Sequence, residues 1–99
     1  NSIAFLDAAG SYSFRANNDK TVTFFNHGLP NADNSYDLGS TSKRWRDLYT
    51  GDINLSNEGR SNDVDGTWGN FTIQEGEDDL FLINKRNGKK YTFVLKEVS

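Results

Sequence analysis

The single histidine, His27, lies in a stretch that also carries Asp33 and Asp37, and the chain contains no cysteine. A nucleophile for that trio would have to be a serine. No serine sits in a Gly-x-Ser-x-Gly elbow, so the trio has no activated nucleophile to rest on. A surface or packed imidazole is the simpler assignment for His27, and no catalytic residue is expected. Asp63-Val64-Asp65-Gly66 places carboxylates at alternate positions, as the first half of a calcium loop does. It lacks the distal glutamate of such a loop and reads as a solvated acidic turn. The cluster Glu75, Glu77, Asp78 and Asp79 reads the same way, with a second use as gatekeepers ahead of an apolar strand. No metal and no cofactor are expected. Asn54-Leu55-Ser56 and Asn70-Phe71-Thr72 match the glycosylation sequon, a triplet that arises by chance in an Asn-rich chain.

Aromatic rings interleaved with carboxamides suggest one further chemistry, the stacking of rings on pyranose faces while amides bond hydroxyls. Trp68, Tyr36 and Tyr12 are the candidates. Trp68 lies between Gly66 and Gly69, where a loop can display it; the competing use of all three rings is to fill a thin β core.

The elements that would hold these side chains follow from composition and period. Aromatic residues make up 13% of the chain, against a background of 12 Asn, 9 Ser and 9 Gly, the composition of short strands joined by turns. Ile3-Ala4-Phe5-Leu6 reads as a strand ended by Asp7 to Gly10. Tyr12, Phe14 and Ala16 alternate with polar residues, as does Val22-Thr23-Phe24, so a three-stranded meander with one buried face is expected. Residues 27–34, with the only proline at Pro30, read as loop. Ser40-Thr41-Ser42 offers N-caps ahead of Trp45, Leu48 and Tyr49 at i, i+3 and i+4, which predicts a short helical turn over about 41–50 with Gly51 as its stop. Lys43, Arg44 and Arg46 then form a solvated face.

Ile53 and Leu55 begin the next strand. Phe71 and Ile73 alternate within another, and Leu80-Phe81-Leu82-Ile83 is apolar on both faces. Asn87-Gly88 is the favoured signal for a two-residue hairpin. Its return strand places Tyr91, Phe93 and Leu95 on one face and Thr92, Val94, Lys96 and Val98 on the other. A hairpin apolar on both faces needs cover on both sides.

Little else in the chain can supply that cover, since only 34% of it is hydrophobic. Size scaling gives roughly 10,000 Å² buried on folding, about 150 kcal/mol if a little over half of that is apolar. Ordering the chain costs about the same at roughly 1.5 kcal/mol per residue. An isolated monomer sits near break-even, and without disulfides or thiolate metal sites self-association is the expected source of stability.

A net charge of −3 gives no cationic footprint for nucleic acid. No apolar run approaches a membrane span, so membrane insertion is not expected either. The chain starts at Asn1 without a signal-peptide pattern and reads as a piece of something longer.

The stretch from Asn34 to Tyr49, in which Asp37-Leu38-Gly39-Ser40 runs into Arg44-Trp45-Arg46-Asp47-Leu48-Tyr49, resembles a recurrent segment of bacteriophage tail fibres and related virion appendage proteins. The stretch from Trp68 to Phe93, with Gly69-Asn70-Phe71-Thr72-Ile73-Gln74-Glu75-Gly76 followed by the apolar hairpin, is similar to the C-terminal domain at the tips of such fibres. These fibres are homotrimers, and the resemblance implies a virion location, a self-associating chain, contacts with other virion proteins, and attachment to a host cell-surface glycan or protein. The self-cleaving chaperone of some related fibres is not implied, because its long helical tail and Ser-Asp context are missing.

The expected protein is therefore all-β, built of short antiparallel strands and hairpins with one helical turn, and intertwined as a homotrimer. Residues 1–35 form a shaft-like meander, 36–59 a connector and 60–99 a C-terminal hairpin domain. The trimer core falls to Leu80, Phe81, Leu82, Ile83, Tyr91, Phe93 and Leu95. Receptor contact falls to Trp68, Tyr36, His27, Asp63 and Asp65. A monomeric carbohydrate-binding module is the alternative function, and a head-decoration or baseplate structural protein the second alternative.

Overall fold

A computed structural model describes residues 3–99. The chain divides into two units, one running to Arg44 and one spanning Trp45–Ser99. Among the described residues all regular structure is antiparallel sheet.

In the first unit β1 (Ile3–Leu6), β2 (Tyr12–Ala16) and β3 (Val22–Phe24) form a meander in that order. Both connections use the same backbone solution. Gly10 N–H donates to the Asp7 carbonyl and Asp7 N–H to the Ser11 carbonyl; Lys20 and Asn17 repeat the pattern with Asn17 and Thr21. Each loop needs one residue with positive φ, the three-residue hairpin arrangement. Gly10 supplies it at φ 85°, whereas Lys20 is forced to φ 70°. Carboxylates brace both loops: Asp7 Oδ1 accepts from the Ala9 and Ser11 amides, and Asp19 Oδ1 from the Thr21 amide and hydroxyl.

Register places Phe5 opposite Phe14 and Phe14 opposite Phe24. Their rings form a ladder across three strands, with centroids 4.8 and 5.6 Å apart. Ile3, Ala16 and Val22 share that face through the Ile3–Ala16 and Ala16–Val22 pairs. The expected alternation fails at Tyr12. Leu6 pairs with Tyr12 while Phe5 pairs with Phe14, so Ser13 is bulged out and Tyr12 turns to the opposite face. There its ring stacks on Phe25 at 5.2 Å, and the Arg15 guanidinium lies 5.5 and 5.4 Å from the two ring centres.

In the second unit β4 (Ile53–Ser56), β5 (Asn70–Glu75), β6 (Leu80–Asn84) and β7 (Lys90–Thr92) form a four-stranded sheet in sequence order. β4 thus belongs to the C-terminal sheet. The pairs Ile53–Ile73–Leu82–Tyr91 and Leu55–Phe71 lie on one face, joined by Leu80, which pairs with Glu75, and by Phe93, whose N–H donates to the Leu80 carbonyl. The other face is largely polar. Thr72 is its centre and, at 2% exposure, the only buried side chain among the described residues. Its hydroxyl donates to Asn54 Oδ1 at 2.7 Å, Lys85 Nζ donates to the same oxygen, and Gln74 Nε2 donates to Asp52. Phe81 and Ile83 share this polar face, and the Phe81 ring lies over Gly76 so closely that a Cβ there would come within 2.5 Å of it.

Three expectations are corrected. Residues 41–50 form no helix. The Ser40 hydroxyl does accept from the Lys43 amide as an N-cap would, but the Ser40 amide donates to the Lys43 carbonyl, which closes a loop instead of opening a helical ladder. Trp45 is 70% exposed, and Leu48 and Tyr49 are exposed with it. The return strand after Asn87-Gly88 ends at Thr92, so Val94, Leu95, Lys96 and Val98 lie beyond the sheet. The turn itself is wider than two residues, because Gly88 N–H reaches back to the Asn84 carbonyl and Asn84 N–H pairs with Lys89.

No hydrophobic side chain among the described residues is buried. Phe24 of the aromatic ladder is 63% exposed. The chain exposes 9448 Å², against about 5,700 Å² for a folded monomer of this mass. An interface of the size usual between units of one chain, roughly 600–1,500 Å², would not remove the excess.

Lys20→Gly is expected to stabilise the first unit by about 0.5–1 kcal/mol, because the left-handed conformation costs lysine more than glycine and only part of the gain is lost to glycine's unfolded-state entropy. Urea unfolding followed by circular dichroism measures it. A lower midpoint than the parent chain would contradict the assignment.

Candidate functional site

The connection from β4 to β5 and the turn from β6 to β7 come out at the same end of the second sheet, since Ser56 pairs with Asn70 and Phe71 with Asn84. Between them lies an open groove of about 850 Å³. Leu55 and Phe71 form its apolar floor, Trp68 and Arg86 one wall, and asparagines much of the rest.

Arg86 holds the groove's aromatic residue in place. Its guanidinium carbon lies 3.7 Å from the Trp68 ring centre, and Nη1 donates to the Trp68 carbonyl at 2.9 Å. One face of the indole is therefore covered by a cation, a contact worth roughly 0.5–2 kcal/mol. Gly69 follows against the Phe71 ring; a Cβ there would lie 3.0 Å from Phe71 Cε2, so the ring would have to shift by a few tenths of an ångström.

The 62–67 loop is knit by its own side chains. Asn62 Oδ1 accepts from the Val64 and Asp65 amides, and its Nδ2 donates to Asp65 Oδ1 and to the Thr67 carbonyl. Asp65 Oδ1 also accepts from the Thr67 amide and hydroxyl. These donors, the Thr67 hydroxyl foremost and then the Asn62 amide, hold the Asp65 carboxyl below its ordinary value. The carboxylate that suggested half a calcium loop is thus an organiser of its own turn. Among the described residues no three metal-ligating side chains gather.

Asparagines line the other walls, and each turns its oxygen to a backbone amide. Asn57 Oδ1 accepts from Gly69 at 2.7 Å, Asn84 Oδ1 from Arg86 at 3.0 Å and Asn87 Oδ1 from Lys89 at 2.9 Å. A backbone N–H can only donate, so these bonds fix which end of each carboxamide is oxygen. The three amide nitrogens have no acceptor within the described chain.

Of the residues proposed for receptor contact, Trp68 and Asp65 line this groove together. Asp63 lies in the same loop without lining it, and Tyr36 and His27 belong to the first unit, both exposed. Arg86 and the asparagines were missed by sequence reasoning. The signal lies in Asn84-Lys85-Arg86-Asn87, of which the sequence reading uses only Asn87, as part of the Asn87-Gly88 hairpin signal.

No protein family, curated protein or solved structure matches the chain.

Arg86→Ala is expected to cost about 0.5–2 kcal/mol and to shift the Trp68 emission to longer wavelength as water reaches the uncovered ring; fluorescence in a Trp45→Phe background isolates the signal. The Asp65 carboxyl, observed by carbon NMR, is expected to titrate below 3.8. Because its pKa is depressed, the stabilisation of the loop is present above the ordinary carboxylate range and is lost as pH falls through the folded-state value. A midpoint at or above 3.8 would rule out the three-donor arrangement.

Proposed function

We propose that this chain is a structural and receptor-binding segment of a virion fibre, completed by two further copies of itself. The observation that carries the reading is the apolar face of the second sheet, formed by Ile53, Ile73, Leu80, Leu82, Tyr91 and Phe93, none of which is buried, while Leu55 and Phe71 at its far end line the groove. Covering such residues is worth roughly 1.5–3 kcal/mol each, and contiguous apolar surface of this kind marks an interaction site. The opposite face is largely polar, with Thr72 bonded to Asn54 and Gln74 to Asp52 beside Phe81 and Ile83. A sheet with one dry and one wet face fits a three-fold arrangement in which the dry faces meet around an axis.

The fibre assignment comes from the resemblance of the 34–49 and 68–93 stretches to phage tail-fibre segments. The exposed apolar residues of the 34–49 stretch, Leu38, Trp45, Leu48 and Tyr49, agree with a segment that is covered by other chains. In this reading the sheets are scaffold and the loops meet the host surface, where repetition around the axis adds avidity to weak single contacts.

Sedimentation equilibrium is expected to give three times the 11.1 kDa chain mass. Leu82→Lys, which sets a charge between Ile73 and Tyr91, is expected to reduce it to the mass of a single chain. A folded single-chain species of the parent sequence at micromolar concentration would overturn the reading in favour of the monomeric carbohydrate-binding module.

A further inference from the structure

We propose that the groove beside Trp68 and Arg86 binds a carboxylate-bearing saccharide, which rests on the receptor-binding reading above and names the chemical class of the receptor.

The first argument is hydrogen-bond polarity. The carboxamide oxygens of Asn57, Asn84 and Asn87 are all engaged by backbone amides, which leaves their nitrogens as free donors around the groove. Arg86 spends Nη1 on the Trp68 carbonyl and keeps Nε and Nη2. That remaining edge is a fork of two parallel N–H groups, the geometry that grips a carboxylate with two bonds. Free amide and guanidinium donors thus dominate the groove's side chains, with Asp65 Oδ2 and the Ser56 and Thr67 hydroxyls as its acceptors. The one carboxylate that lines it, Asp65, has an oxygen occupied by Asn62 and Thr67. A ligand that fits must bring acceptors. Uronate-type sugars do so through the carboxylate and through ring and bridging oxygens.

Charge gives a second argument. Lys85, Arg86, Lys89 and Lys90 crowd the β6–β7 turn, and none of them pairs with a carboxylate among the described residues. The acidic residues Glu75, Glu77, Asp78 and Asp79 stand at the other end of the β5–β6 hairpin, about 17 Å away for a strand of six residues. The β4–β5 connection at the groove's end adds Arg60 against Glu58, Asp63 and Asp65, so within an acidic chain that end still carries five cationic side chains to three acidic ones. Its floor of Leu55 and Phe71 offers a surface for the C–H face of a sugar ring while the rim bonds the oxygens.

The test uses the 99-residue chain and oligogalacturonate as probe, read by isothermal titration at low salt with mass measured on the same sample. Oligogalacturonate is expected to bind, and its fully methyl-esterified form, which lacks the charge, at least tenfold more weakly. Asn87→Asp keeps the oxygen that accepts from Lys89 but replaces the free donor by a negative charge. It is expected to weaken binding at least tenfold while fold and mass stay unchanged. Arg86→Lys keeps the charge but loses the fork and is expected to weaken binding by a similar factor. Equal binding of the esterified probe, equal binding of polyglutamate, or unchanged affinity in both variants would overturn the proposal. So would an absence of binding by a correctly assembled chain, whereas a single-chain mass with saccharide binding intact would overturn the trimer alone.

Discussion

A β-sheet satisfies its backbone by pairing strands, but pairing alone does not remove apolar side chains from water. That mismatch governs this chain. Among the described residues seven strands are paired into two sheets, yet no hydrophobic side chain is buried. Backbone hydrogen bonds exchange water partners for protein partners and contribute little net free energy, whereas burial is the dominant favourable term in folding. A chain arranged in this way has met the first requirement of a fold, and within its described residues the second is unmet.

The details of both sheets are consistent with that division. On the second sheet the polar face is finished: Thr72 is buried, Asn54 collects two donors, and Gln74 is bonded to Asp52. The apolar face has no equivalent cover. On the first sheet the bulge at Ser13 separates two aromatic groups, sending Tyr12 to stack with Phe25 and Arg15 while Phe5, Phe14 and Phe24 remain as a ladder behind it. The loops are more self-contained than the sheets, because short side chains bond the backbone within their own turn, as Asp7, Asp19, Asn62 and Asp65 do.

The strands were legible in the sequence because alternation is a local property. Strands β1 to β6 lie close to where alternation places them, β7 stops at Thr92 short of the expected run to Val98, and the apolar residues of β4 and β5 stand on the face their period requires. Three features were not legible for physical reasons. The bulge at Ser13 is set by what pairs across from it, which alternation along one strand does not contain. The spacing of Trp45, Leu48 and Tyr49 suits a helix, but a single amphipathic turn with no surface to bury itself against has nothing to stabilise it. The groove escaped notice because its donors are defined by which end of each asparagine the backbone consumes, and that depends on the turn conformations at 57, 84 and 87.

Every strand in both sheets pairs only with its neighbours in sequence, and the longest stretch to be closed is the 57–69 connection. Hairpins of this kind form on the microsecond scale, far sooner than separate chains at micromolar concentration meet. In the trimer proposed above, ordering within the chain is therefore fast, and the slow step is an encounter whose rate depends on concentration. During that interval the aromatic ladder and the dry sheet face stay in contact with water, so a newly made copy faces a race between correct partners and indiscriminate sticking. A high local concentration of sister chains, as on a polysome making many copies at once, tips that race towards the ordered assembly.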